Sequence, residues 1–220
     1  MSEIVSKIRS ELESASNTTS GFRIKNGDVC KISAKAFRGL RDRSRDYVFA
    51  ICEELLEQRD WPTKVIAFDF AHGVRKQYDE SAVFERWLER YVRSWGDCGD
   101  FCTHAFGELI CQHTELARKT LTWTQREEFR MRRAAAVVLI PSIRRNKYRE
   151  TKPLQAADLL MHDEHDLVRK GYAWMLKTLS VKEPELVFDY LMRHKATMPR
   201  AAFRYALEKM DEDTRRILMH

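Results

Sequence analysis

A chain of 220 residues and 26.0 kDa fits one domain or a compact array of small units. Its 8 glycines and 5 prolines fall below the usual shares of roughly 7% and 5%, which excludes sheets joined by many tight hairpins. With 44% hydrophobic and 33% charged residues and a net charge of +6, it is too apolar for general disorder, and its longest apolar run, 134–140, is far short of the ~20 residues that span a bilayer.

Taken in chain order, apolar residues recur at helical spacing almost everywhere. The pattern predicts helices over 3–14, 34–58, 62–76, 81–93, 99–112 and 125–140, then over 154–162, 164–178, 184–193, 199–210 and 212–219. Residues 1–20 are polar and charged, unlike a secretory signal. The stretch 17–28, rich in Ser, Thr, Asn and Gly, is expected to be a loop, and the basic stretch 144–153 a second connection. Pro62, Pro153, Pro184 and Pro199 mark first turns, where a missing N–H is harmless, and Asp79 and Asp163 are candidate caps. No stretch alternates with the period of a half-buried strand, so the expected class is all-α.

Five cysteines, an odd number, suit reduced thiols in a cytoplasm. Cys98, Cys102, His104, Cys111 and His113 invite a zinc reading, but Cys98 and Cys102 are one helical turn apart and no glycine-bearing knuckle accompanies them. Buried packing is the preferred reading, with no metal site expected.

The helices repeat. A basic residue followed three positions later by a small one recurs as Lys64-Val65-Ile66-Ala67, Arg133-Ala134-Ala135-Ala136 and Lys170-Gly171-Tyr172-Ala173, with Arg200-Ala201-Ala202-Phe203 a looser copy. The step from 133 to 170 is 37, and that from 64 to 133 is 69, two steps averaging 34.5. Two helices per thirty-odd residues describe HEAT-like repeats, hence a curved α-solenoid of stacked antiparallel helix pairs forming a single domain over 1–220. Residues 1–28 form its N-terminal helix and loop, and 29–220 its repeats. Continuing the register places Asp100 in the same column, so an inner wall reads Lys64, Asp100, Arg133, Lys170, Arg200. Repeated bases suit a phosphate backbone, and the nearby Trp95 and Trp174 either fill the core or press on sugar and base. The lone carboxylate is either an ion-pair partner of Arg133 or a functional acid that stabilises an oxocarbenium-like transition state and orients water. A cationic alkylated base departs neutral and needs no general acid.

The stretches Ser94-Trp95-Gly96-Asp97-Cys98-Gly99-Asp100, Met131-Arg132-Arg133-Ala134-Ala135, Lys170-Gly171-Tyr172-Ala173-Trp174-Met175-Leu176-Lys177 and Pro184-Glu185-Leu186-Val187-Phe188 together resemble the AlkD-type DNA alkylation repair glycosylases, over roughly 61–210. The resemblance implies excision of N3- and N7-alkylated purines from duplex DNA while the lesion stays stacked, by a monomer with no metal or organic cofactor and no membrane partner. It implies a cytoplasmic, bacterial-type protein held at the nucleoid through DNA. It assigns the catalytic aspartate to Asp100, the groove arginine to Arg133 and the backbone-packing tryptophan to Trp174. Lys177 stands where the family more often has arginine, and Trp95, Lys170, Lys64 and Arg132 complete the expected DNA-binding set. Gly96 departs from the family's second tryptophan, which would share a helical face with Asp100. A non-catalytic repeat protein that binds damaged, bent or branched DNA through the same groove is the alternative reading, and a scaffold for acidic protein partners is a third.

Overall fold

Helices dominate because the chain supplies apolar stripes at helical spacing but no helix wide enough to bury its own stripe, so each must stack on the next. A computed structural model describes residues 2–17, 24–79 and 82–219. Among these residues the structure is all-α, with paired helices of the expected HEAT-like kind and no strand. No helix among them is long and apolar enough to cross a membrane.

The chain divides into two compact units, 1–92 and 93–220. The first contains α1 (Glu3–Asn17), α2 (Asn26–Arg38), α3 (Arg45–Leu56), α4 (Trp61–Gly73) and α5 (Ala82–Tyr91). α4 packs on both α2 and α3, and Phe49, Tyr78, Phe84 and Trp87 pack ring against ring at centroid distances of 5.0 to 6.4 Å. The second contains α6 (Trp95–Thr103), α7 (Ala105–Gln112), α8 (Ala117–Thr120), α9 (Phe129–Val137) and α10 (Ile140–Arg144). It continues through α11 (Pro153–Leu160), α12 (Asp166–Ser180), α13 (Pro184–His194), α14 (Arg200–Ala206) and α15 (Glu212–Met219). There α12 is central, packed on α9, α11, α13 and α14.

The structure corrects several expected boundaries. The helix expected over 34–58 is two, α2 and α3. Gly39 N–H donates to the Lys35 and Ala36 carbonyls at 3.2 and 3.1 Å, and Asp42 then accepts from Ser44 N–H at 2.7 Å, so a short turn closes where apolar periodicity alone runs on. The helix over 99–112 breaks at His104, with φ −117° and ψ −96°, and Gly107 takes up the close approach that results. A Cβ there would lie 2.2 Å from the Cys102 carbonyl oxygen and 2.5 Å from Pro141 Cγ. The helix over 125–140 starts only at Phe129 and stops at Val137, because Pro141 has no N–H to return to the Val137 carbonyl. Asp163 does not cap α12. His165 does, its Nδ1 accepting from Leu167 N–H at 3.1 Å. Half of the loop expected over 17–28, residues 18–23, lies outside the described residues, but its end does not: α2 begins at Asn26. Asp79 pairs with Arg45, and the residues it was expected to cap begin outside the described set.

Side-chain bonds inside each unit reproduce the repeat period. In the first unit Glu53 accepts from Trp87 Nε1 and Arg86 at 2.6 Å each, 34 and 33 residues along, and Glu57 pairs with Arg90 at 2.6 Å. In the second, Arg133 Nη1 donates to the Leu167 carbonyl at 2.5 Å across 34 residues. Tyr190 reaches Asp158 at 2.9 Å across 32, and Thr114 reaches Glu150 at 2.8 Å across 36. Each bond joins equivalent levels of successive helix pairs.

Burial pushes the Glu53 carboxyl upward, but hydrogen bonds from Trp87, Arg86 and Tyr91 outweigh it and hold the group below the usual carboxylate range. A depressed native pKa stabilises the fold above the unfolded value of about 4.3 and loses that contribution as pH falls through the native value. Glu53→Gln is therefore expected to be less stable than the wild type at neutral pH, with the gap in urea denaturation narrowing below about pH 4.

Candidate functional site

α6 begins with a reciprocal cap. Asp97 N–H donates to Ser94 Oγ at 3.0 Å, and Ser94 N–H donates back to the Asp97 carboxylate at 3.2 Å. Asp97 is thereby committed to starting the helix, which frees the first helical residue, Trp95, to project outward with 62% exposure. One and a half turns later comes Asp100, half-buried. Its Oδ1 lies 3.1 Å from His104 Nδ1, while Oδ2 is buried with no hydrogen-bond partner. An unpaired buried carboxylate oxygen costs on the order of 1–3 kcal/mol, a penalty that a developing positive charge would relieve.

α9 and α12 supply the opposite wall, and glycines let them approach. A Cβ on Gly171 would lie 3.1 Å from Arg133 Cγ, and one on Gly99 4.0 Å from the Trp174 ring. Arg133 is only 4% exposed. Nη1 donates to the Leu167 carbonyl at 2.5 Å, while Nε has no partner. It makes no ion pair with Asp100 among the described residues, so the ion-pair reading of that aspartate passes to His104 instead. Lys170, one turn before Trp174 on α12, is exposed and has no acidic partner among the described residues.

Trp95, Arg133, Leu167, Lys170, Trp174, Ala201 and Tyr205 line one cavity of about 590 Å³. Four of the residues singled out in the sequence thus come together in a recess with aromatic walls and two cationic groups. Asp100 is carried on α6 next to Gly99, where a Cβ would lie 4.0 Å from the Trp174 ring. Sequence reasoning missed Leu167, Ala201 and Tyr205. Only the loose basic-to-small copy at Arg200-Ala201-Ala202-Phe203 pointed to α14, and nothing in it singled out Tyr205.

The other expected contacts are engaged elsewhere. Lys177 Nζ is held by Glu208 at 3.1 Å and lies 4.2 Å above the Tyr205 ring, bracing the cavity wall from behind. Arg132 grips Asp163 through Nε and Nη2 at 2.5 and 3.3 Å and donates to the Arg126 and Glu127 carbonyls, a tie between α9 and the start of α12. Lys64 is 7% exposed on α4 in the first unit. The Cys98 and Cys102 thiols are fully buried, 3.9 Å apart, and Cys111 lies against Arg145. A hydrogen bond from Cys102 and the Arg133 charge draw the Cys98 thiol below its ordinary range, whereas burial pushes Cys102 up.

A model of the family described as DNA alkylation repair enzyme matches residues 15–210. Among solved structures, one described as a predicted DNA alkylation repair enzyme from Enterococcus faecalis superposes with a TM-score of 0.73 at 14% identity, covering 96% of each chain. AlkD2 from Streptococcus mutans superposes with a TM-score of 0.67 at 16% identity, over 95% of this chain and 100% of that one. No curated protein matches.

Asp163 is 7% exposed at its side chain, so removing Arg132 leaves a nearly buried carboxylate with only the His165 N–H, at 2.9 Å, to answer it. Arg132→Ala is expected to lower unfolding stability by about 2–3 kcal/mol, the low end for a broken buried pair because the arginine itself is partly wet. Thermal and urea unfolding read this directly.

Proposed function

The chain belongs to the DNA alkylation repair enzyme family, and from that premise we propose that it hydrolyses the N-glycosidic bond of cationic N3- or N7-alkylated purines in duplex DNA. The observation that carries this reading is the aromatic, doubly cationic cavity beside a helix whose Asp100 holds an unpartnered buried oxygen. Arg133 and Lys170 supply positive charge for the phosphates that flank a lesion, and the Trp95 and Trp174 faces suit deoxyribose and base.

In the proposed reaction the bond from C1′ to the base nitrogen breaks, and its electron pair returns to the alkylated base. The base is already cationic, so it departs neutral without a proton from the protein. Positive charge develops on the sugar, where the Asp100 carboxylate stabilises it electrostatically. Water then adds to C1′, and Asp100 orients it and accepts its proton, leaving an abasic site. The chemistry asks for one carboxylate and a surface that holds the backbone, which agrees with an open recess. Release of 7-methylguanine and 3-methyladenine from alkylated duplex DNA is the direct test. Asp100→Asn is expected to cut single-turnover excision by roughly 10²–10³-fold, in line with the loss of one preorganised electrostatic group, with duplex affinity and unfolding temperature retained. Equal release by both proteins would remove Asp100 from the chemistry, and no release by either would favour the second reading.

That second reading, a repeat protein that binds damaged or distorted DNA without excision, is favoured by Gly96. A Cβ at Gly96 would meet only Ser94 Oγ, at 3.7 Å, so the aromatic contact that the family motif carries there is replaced by open space. Position 96 has room for a Cβ, and Gly96→Trp removes a weak helix former worth about 0.5–1 kcal/mol. It is expected to raise excision severalfold if the sugar contact limits the rate. Unchanged excision would show that Trp95 and Trp174 already supply what the sugar needs.

A further inference from the structure

The connection between α10 and α11 has a composition that the cavity does not use. Arg144, Lys147, Arg149 and Lys152 are all exposed, and none has an acidic partner among the described residues. Arg118, exposed on α8, joins them, because α8 packs against the short 3-10 turn Arg149–Thr151. The acid within the stretch, Glu150, accepts from the Thr114 hydroxyl at 2.8 Å. Arg145 is excluded from the set, since it pairs with the nearly buried Glu108.

This connection is pinned. Lys147 N–H donates to the Ser142 carbonyl at 2.8 Å, and Thr151 Oγ1 donates to the Tyr148 carbonyl at 2.8 Å. Tyr148 is buried, and its hydroxyl bonds Glu183. Asn146 and Lys152 hold left-handed backbone at φ 59° and 48°, which turns the chain sharply on either side of the bases. Lys147 and Arg149 line a recess of about 300 Å³ together with Glu150, whose carboxylate is held by the Thr114 hydroxyl. A fixed set of cations loses little conformational freedom on meeting a charged partner.

We infer that Arg118, Arg144, Lys147, Arg149 and Lys152 form a second phosphate-backbone platform for duplex DNA, separate from the lesion cavity and indifferent to sequence and damage. Duplex DNA is favoured over an acidic protein because the platform exposes five cations, unpaired among the described residues, against the single carboxylate of Glu150 and no large apolar side chain, whereas protein interfaces are anchored by aromatic or apolar side chains in pockets. The inference rests on the proposed function only for the class of polymer, not for the chemistry.

The test is the salt dependence of binding to a fluorescein-labelled, unmodified duplex, measured for wild type, Lys147→Gln/Arg149→Gln and Arg118→Gln/Arg144→Gln. Each pair removes two cations, so the slope of log K against log salt is expected to become shallower by about 1.8, with affinity falling at every salt concentration. The two pairs lie on different elements, and unfolding temperatures identify a pair that has simply lost its fold. A wild-type slope retained in a folded pair overturns the platform and leaves an acidic protein segment as the chemistry that surface fits. Failure of the wild type itself to bind any duplex would instead defeat the DNA reading as a whole.

Discussion

No helix pair in this chain can bury its apolar face alone, so the decisive constraint is the step between one pair and the next. That step is written into bonds whose partners lie 31 to 36 residues apart, such as Trp87 to Glu53, Arg133 to Leu167 and Lys177 to Glu208. Polar groups at the buried seams are satisfied only when neighbouring repeats meet in register, and a slip of one helical turn would leave several of them desolvated and unpaired. Apolar burial supplies the attraction between layers, and these bonds select one alignment from those that burial would tolerate. The column of functional side chains exists because that alignment is unique.

The cavity wall depends on a missing side chain as well as on those present. Gly171 lets the Arg133 stem lie against α12, where a Cβ would come 3.1 Å from Cγ, whereas a Cβ on Gly99 would make only an ordinary contact, 4.0 Å, with the Trp174 ring. Both glycines cost helix stability, and both stand where two elements of the recess approach each other. Arg133 is consequently almost enclosed, held by the Leu167 carbonyl, and presents its charge at a fixed point of the wall. Lys170, by contrast, keeps a wet head that can follow a phosphate.

The repeat period and the helical class were legible in the sequence, because apolar spacing and the basic-to-small pairs report directly on stacking. Arg133 and Lys170 were legible for the same reason, as members of one column, and Trp95 and Trp174 as its neighbours in the chain. Partner choice was not. Nothing local distinguishes Arg132, bound to Asp163, from its neighbour Arg133, since they differ only by the ~100° that separates adjacent residues on a helix. Lys64 likewise read as a column member and Lys177 as a contact implied by the family resemblance, although burial claims the first and Glu208 the second. The break at His104 escaped because apolar periodicity runs through it, and the close approach of Gly107 to Pro141 that accompanies it joins residues far apart in the chain order.

The recess draws its walls from α6, α9, α12 and α14, helices of successive repeats rather than loops of one. Its aperture is therefore a property of pitch. A slight change in the rotation between repeats opens or narrows the mouth without altering any residue that lines it, much as the gap between two treads follows from the rise of a staircase. On the proposed function, tolerance for adducts of different size can then be set at seams such as Lys177–Glu208 while Asp100 keeps its place on α6.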